Sequence, residues 1–173
     1  MFPKLTFVLG GAASGKSQWA ENHSLRSGLE PVYLATSRVF DDEIAAKVEV
    51  HKSRRREDWL NFEADLILKP VLSGRTANQI ILIDCATMWL SNTMMDELDL
   101  SAAQTRLLAD IAACPCPVVI VSNEVGHGIV PDNALARRFR DAQGRLNMAL
   151  AAQSDLAVLV VAGLPQVLKG QLQ

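Results

Sequence analysis

Leu5-Thr6-Phe7-Val8-Leu9-Gly10-Gly11-Ala12-Ala13-Ser14-Gly15-Lys16-Ser17 is the stretch on which the fold turns. Its first five residues are almost continuously apolar, which suits a strand covered on both faces. The next eight read G-x-x-x-x-G-K-S, and Gln18-Trp19-Ala20-Glu21 runs on into a helix-prone segment. Strand, glycine-rich loop and helix in that order is the setting that the Walker A pattern requires. Gly10, Gly11 and Gly15 let backbone N–H groups curl around phosphate oxygens, with Ala12, Ala13 and Ser14 completing the loop. Lys16 supplies a cation to the β- and γ-phosphates, and the helix N-terminus adds partial positive charge. Ser17 can set its hydroxyl on Mg²⁺.

Working outward, four further apolar runs stand at residues 31–35, 79–83, 117–121 and 156–161. Helical patterns occupy 17–27, 42–56, 102–113 and 132–153. Strands alternating with helices predict an α/β fold with a mostly parallel central sheet and helices on both faces. With the loop at Gly10, that is a P-loop NTPase fold. Asp84 closes the run at 80–83, and an acid ending a buried strand is the Walker B arrangement, holding Mg²⁺ beside the loop with Ser17.

The 173 residues are 49% hydrophobic and 21% charged, an ordinary globular balance that predicts one domain over residues 1–173. A net charge of −2 argues against a dedicated nucleic-acid binder. No apolar run approaches the roughly 18 residues of a membrane span. Met1-Phe2-Pro3-Lys4-Leu5 lacks the basic start and cleavage site of a signal peptide. Cys85, Cys114 and Cys116 are too few and too irregular for a disulfide framework, which predicts a reducing, cytoplasmic setting. Cys114-x-Cys116 is not zinc spacing. Trp19, Trp59 and Trp89 read as packing residues.

The segment from Asp41-Asp42-Glu43 to His51-Lys52 reads as a helix with an acidic start, followed by Ser53 and the cations Arg54, Arg55 and Arg56. That charge can attract a triphosphate. A neutral imidazole is nucleophilic near pH 7. From composition alone the plainer reading of His51 is a surface histidine on a solvated basic helix end. His23 and His127 have no comparable setting.

Taken together and in order, these residues resemble the bifunctional adenosylcobinamide kinase/adenosylcobinamide-phosphate guanylyltransferase family of cobalamin biosynthesis. The likeness runs over almost the whole chain. It includes Gly10 to Ser17, Tyr33-Leu34-Ala35-Thr36-Ser37, Asp41-Asp42-Glu43 with His51-Lys52, and Trp59 with Glu63. It continues through Asp84-Cys85, Met88-Trp89-Leu90-Ser91-Asn92, Asn123-Glu124-Val125-Gly126 and Gly128-Ile129-Val130-Pro131. It ends on Phe139-Arg140-Asp141, Gly144-Arg145, Asn147 and Gly163-Leu164-Pro165. The resemblance implies two steps at one site. ATP or GTP phosphorylates adenosylcobinamide, and GTP then guanylylates a histidine whose GMP passes to adenosylcobinamide phosphate.

By the same resemblance His51 is the guanylylated histidine. Gly10 through Ser17, Ala35, Thr36, Ser37, Lys52, Ser53, Arg54, Arg55, Glu63 and Asp84 contact nucleotide, and the working form is a homotrimer. Two positions depart from the family pattern: Ala13, where relatives often carry Arg, and His127, where an apolar residue is usual. A monofunctional P-loop small-molecule kinase is the alternative reading. A nucleotide-dependent module of the recombinase type is a third, and it predicts a basic stripe that the acidic balance does not favour.

Overall fold

The computed structural model describes residues 2–38 and 59–172. Among the described residues there are seven strands: β1 (Leu5–Gly10), β2 (Glu30–Ala35), β3 (Leu60–Glu63), β4 (Gln79–Asp84), β5 (Val118–Asn123), β6 (Leu156–Val161) and β7 (Leu164–Lys169). They form one sheet in the order β3-β2-β4-β5-β1-β6-β7, parallel throughout except for the antiparallel pair β6–β7. Five helices accompany them among the described residues: α1 (Lys16–Arg26), α2 (Lys69–Ser73), α3 (Ala86–Met95), α4 (Leu100–Ala113) and α5 (Ala134–Gln153). None of these helices is long and apolar enough to cross a membrane.

The continuous apolar runs are explained by what lies above and below the sheet. Along β4, Ile80 and Leu82 join the cluster under Ala20 of α1, while Ile81 and Ile83 join the opposite cluster with Trp89, Leu107 and Leu146 of α3, α4 and α5. Alternate side chains point to opposite faces, so a strand covered on both must be apolar at every position. Full burial of each such side chain contributes about 1.5–3 kcal/mol. The helices begin where local chemistry dictates. Asp99 Oδ1 accepts from Ala102 N at 3.0 Å to cap α4, and Asn133 Oδ1 accepts from Ala136 N at 2.7 Å to cap α5.

The five expected strands are all present, within a residue or two of the expected ends. Two further strands, β3 and β7, and two further helices, α2 and α3, join them among the described residues. Both unforeseen strands sit at the edges of the sheet. β3 is short and largely exposed, and β7 is exposed along its whole length, so neither carries an apolar signature. Pro165 in β7 argues against a strand in sequence but is tolerated at an edge. The helix expected at 42–56 lies outside the described residues.

Candidate functional site

The strand order brings the predicted residues to one edge. Ala35, at the end of β2, is in register with Glu63 of β3 on one side and Asp84 of β4 on the other. Asp84 is in register with Val121, and Gly10 with Asn123 of β5 and Val160 of β6. The loop from Gly10 to Ser17, the residues Ala35 to Ser37, Glu63 and Asp84 therefore share the C-terminal edge of the parallel strands. Open α/β sheets bind ligands at this edge.

The loop at Gly10 turns tightly. Ser14 N donates to Gly11 O at 3.3 Å, and Trp19 N donates to Gly15 O at 2.9 Å to begin α1. Ala13 has φ +53° and Gly15 φ +90°. At Gly15 a side chain is excluded twice over, by the positive φ and because a Cβ would lie 2.9 Å from Gly163 Cα. Alternating conformations of this kind turn backbone amides toward an anion. Lys16 Nζ reaches back across the loop to donate to Gly11 O at 3.0 Å. Partial burial pulls the Lys16 pKa down, while the negative charge of Asp84 opposes that shift. A half-desolvated cation held over a glycine-rich loop is an efficient phosphate ligand, because its charge is less screened than in bulk water.

Asp84 is half-buried, and its Oδ2 accepts from Tyr33 Oη at 3.0 Å. The next residue, Cys85, is inert: burial and Asp84 push its thiol up to about 12, so it stays protonated. Thr36 is fully buried, and its hydroxyl is engaged inside the protein. It donates to Cys85 O at 2.7 Å and accepts from Cys85 N at 2.8 Å. Thr36 thus ties the ends of β2 and β4 together through its side chain. Asn92 Nδ2 extends the tie to Thr36 O at 2.8 Å and Asp65 O at 3.1 Å. Arg38 is clamped by Asp65 at 2.5 Å and by both carboxylate oxygens of Asp96 at 2.7 and 2.8 Å.

Among the described residues no cluster of three or more His, Cys, Asp or Glu could hold a metal. The donors that the motif pattern assigns to a metal at this edge are the Ser17 hydroxyl and the Asp84 carboxylate. That hard-oxygen pair fits Mg²⁺, which is held by one or two protein ligands plus phosphates and water. It does not fit the closed cages of structural zinc.

His51, Lys52, Ser53, Arg54 and Arg55 lie outside the described residues. The tryptophans pack as expected: Trp59 is buried edge-on to Tyr33, Trp89 is buried with Nε1 donating to Leu66 O at 3.0 Å, and Trp19 stacks on His23. Three contributors were not singled out in the sequence for what they do here: Tyr33 through its hydroxyl, Asn92 through its amide, and Gly163, whose N–H donates to Ser14 O at 2.8 Å. Tyr33, Asn92 and Gly163 all lie in stretches that resemble the family, which was their only signal.

Comparison with known proteins bears on the family and the fold. The sequence model of the family described as "Cobinamide kinase / cobinamide phosphate guanyltransferase" matches residues 6–168. The chain is 38% identical over 167 residues to the bifunctional adenosylcobalamin biosynthesis protein CobP of Pseudomonas aeruginosa, covering 95% of this chain and 96% of that protein. It is 38% identical over 176 residues to the bifunctional adenosylcobalamin biosynthesis protein CobU of Escherichia coli, covering 92% and 97%. Among solved structures, a prototypical ATPase from a bacterial type III secretion system superposes with a TM-score of 0.52 at 8% identity. That match covers 95% of this chain and 56% of the other, and it bears on the fold alone.

Proposed function

The chain belongs to the cobinamide kinase / cobinamide phosphate guanyltransferase family, and from that premise we propose that one nucleotide cradle at the C-terminal sheet edge performs two reactions. In the first, ATP or GTP phosphorylates adenosylcobinamide. In the second, GTP donates GMP to adenosylcobinamide phosphate through a guanylylated His51, giving adenosylcobinamide-GDP and pyrophosphate. The observation that carries this reading is the register of Glu63, Ala35 and Asp84 beside the loop of Gly10, which sets a carboxylate next to a phosphate cradle.

In the kinase step the substrate hydroxyl attacks the γ-phosphorus, its proton is lost, and the nucleoside diphosphate leaves. The loop amides and Lys16 hold the β- and γ-phosphates in line and take up the charge that develops on the leaving oxygen. Lys16 exchanges its bond to Gly11 O for the phosphates. In the transfer step an imidazole nitrogen of His51 attacks the α-phosphorus. A P–N bond forms, the bond to pyrophosphate breaks, and the loop holds the departing pyrophosphate. A phosphate oxygen of the cobinamide phosphate then displaces the histidine, so one hard displacement becomes two easier ones.

Lys52, Ser53, Arg54, Arg55 and Glu63 complete the nucleotide contacts in this reading, with Ala35, Thr36 and Ser37 lining the cradle between them. Ser17 and Asp84 would hold Mg²⁺, which neutralises phosphate charge when bound. One domain carries both steps, in the cytoplasm and as a homotrimer, the state that the family resemblance implies.

The test is a paired labelling. Wild type and His51→Ala are incubated with GTP labelled at the α- or γ-phosphate, together with adenosylcobinamide. Wild type is expected to retain acid-labile, alkali-stable α-label and to transfer γ-label to the cobinamide. His51→Ala is expected to lose the first and keep the second. Label retained on His51→Ala would move the nucleophile elsewhere. Label absent from wild type would leave only the kinase.

A further inference from the structure

The connection between β6 and β7 is two residues long. Ala162 and Gly163 have φ +51° and +78°, and Val161 pairs with Leu164 across them. Two consecutive positive φ values make the tight hairpin turn whose twist matches its strands. This exposed turn is seated on the phosphate loop. Gly163 N donates to Ser14 O at 2.8 Å, and a Cβ on Gly15 would come within 2.9 Å of Gly163 Cα and 3.3 Å of Gly163 N.

The consequence follows from the planarity of the peptide bond. Ser14 C=O and Gly15 N–H belong to one planar unit and, in the trans form, point in opposite directions. A bond that holds Ser14 O toward the hairpin holds Gly15 N–H away from it, toward the side of the loop where a cradled anion lies. We propose that Gly163 is a positioning residue for the nucleotide cradle: its amide sets the Ser14–Gly15 peptide plane, and the β6–β7 hairpin buttresses the loop in its phosphate-binding form. The inference rests on the cradle being the nucleotide site. It gives the Gly163-Leu164-Pro165 stretch a function that phosphate contacts do not supply, since Gly163 acts through Ser14.

The test measures GTP affinity with Mg²⁺ present, by calorimetry, together with thermal melting, for wild type, Gly163→Asn and Gly163→Val. A Cβ at position 163 meets nothing within 4 Å, so both substitutions act on the turn's backbone rather than on packing. Asn tolerates a positive φ, and a β-branched residue does not. Gly163→Asn is expected to stay within about twofold of wild type in Kd. Gly163→Val is expected to weaken GTP roughly tenfold, the size of one backbone hydrogen bond, with melting changed by only a few degrees.

A Gly163→Val protein that melts lower and binds GTP normally would overturn the proposal, because the turn would then be structural only. Equal loss in both variants would also overturn it. If Gly163→Val does not fold, exchange of the Gly163 amide hydrogen in wild type decides by NMR. Saturating GTP is expected to slow it severalfold, since two coupled sites stabilise each other reciprocally, and unchanged exchange would overturn the proposal. Wild type that binds no GTP would remove the nucleotide reading itself, a failure distinct from any in the variants.

Discussion

Where the parallel strands begin, polar groups are tied down locally. Leu5 N donates to Asp155 Oδ2 at 3.0 Å, and Asp155 N returns a bond to Leu5 O at 2.9 Å. Lys4 Nζ donates to the carbonyls of both Cys114 and Cys116, and Lys4 O accepts from Val118 N at 2.9 Å. Where the same strands end, the protein holds a half-buried lysine, positive φ values at Ala13 and Gly15, and buried Ser14 Oγ and Asn92 Oδ1 atoms that have no partner among the described residues. The first edge is optimised for stability and the second for binding. Features of the second kind cost stability when no ligand is present and cluster at functional sites.

The largest effect expected from this contrast is at Lys16. Lys16→Ala should lower both phosphorylation and GMP transfer roughly 10²–10³-fold, since each step loses the cation that holds its phosphates. Its melting temperature should not fall, because removing a partly desolvated cation relieves a cost of folding. Steady-state rates and thermal melts check this together, and a large loss of stability would break the contrast.

The next effect lies away from the site, at His23 in the last turn of α1. It is buried between Trp19 and Phe2, with Nε2 3.4 Å from Thr6 Oγ1, and burial together with Arg26 pulls its pKa down to about 4. An unfolded histidine titrates near 6.5. The unfolded chain therefore binds a proton first, and the His23 contribution to stability is complete above about pH 6.5. It is lost as pH falls from there to about 4, by up to roughly 3 kcal/mol, and levels off below. Urea unfolding at pH 7, 5 and 4 should show this slope in wild type and a shallower one in His23→Leu. GTP affinity at pH 7 should be the same in both.

Asp84→Asn should reduce both rates about tenfold at low Mg²⁺, with partial recovery as Mg²⁺ is raised, because a neutral oxygen is a weaker ligand of the same size. An unchanged Mg²⁺ dependence would place the ion elsewhere. The smallest effect is at Lys4. Lys4→Met removes bonds to two carbonyls at an exposed position and should cost about 1 kcal/mol in urea unfolding while leaving both activities intact.

The interior of this fold was legible in the sequence because β1, β2, β4, β5 and β6 are covered on two faces, and double burial writes an unbroken apolar run. β3 and β7 bury little, so Leu60–Glu63 and Leu164–Lys169 carry no such mark. The phosphate loop was legible because its chemistry is local: glycines, lysine and serine within eight residues. The placement of Asp84 beside it depends on strand order, which periodicity does not encode. The amide of Gly163 depends on which turn touches which loop. The bonds between the Thr36 hydroxyl and the Cys85 backbone depend likewise on the register of β2 and β4.

The central claim is that one cradle serves both a kinase and a covalent guanylyl transfer. The most direct measurement is the intact mass of wild type after incubation with GTP and Mg²⁺, with and without a saturating non-hydrolysable ATP analogue. One GMP per chain should be gained, and the analogue should suppress that gain by occupying the same loop. An adduct that forms undiminished beside the analogue, or no adduct at all, would contradict the claim.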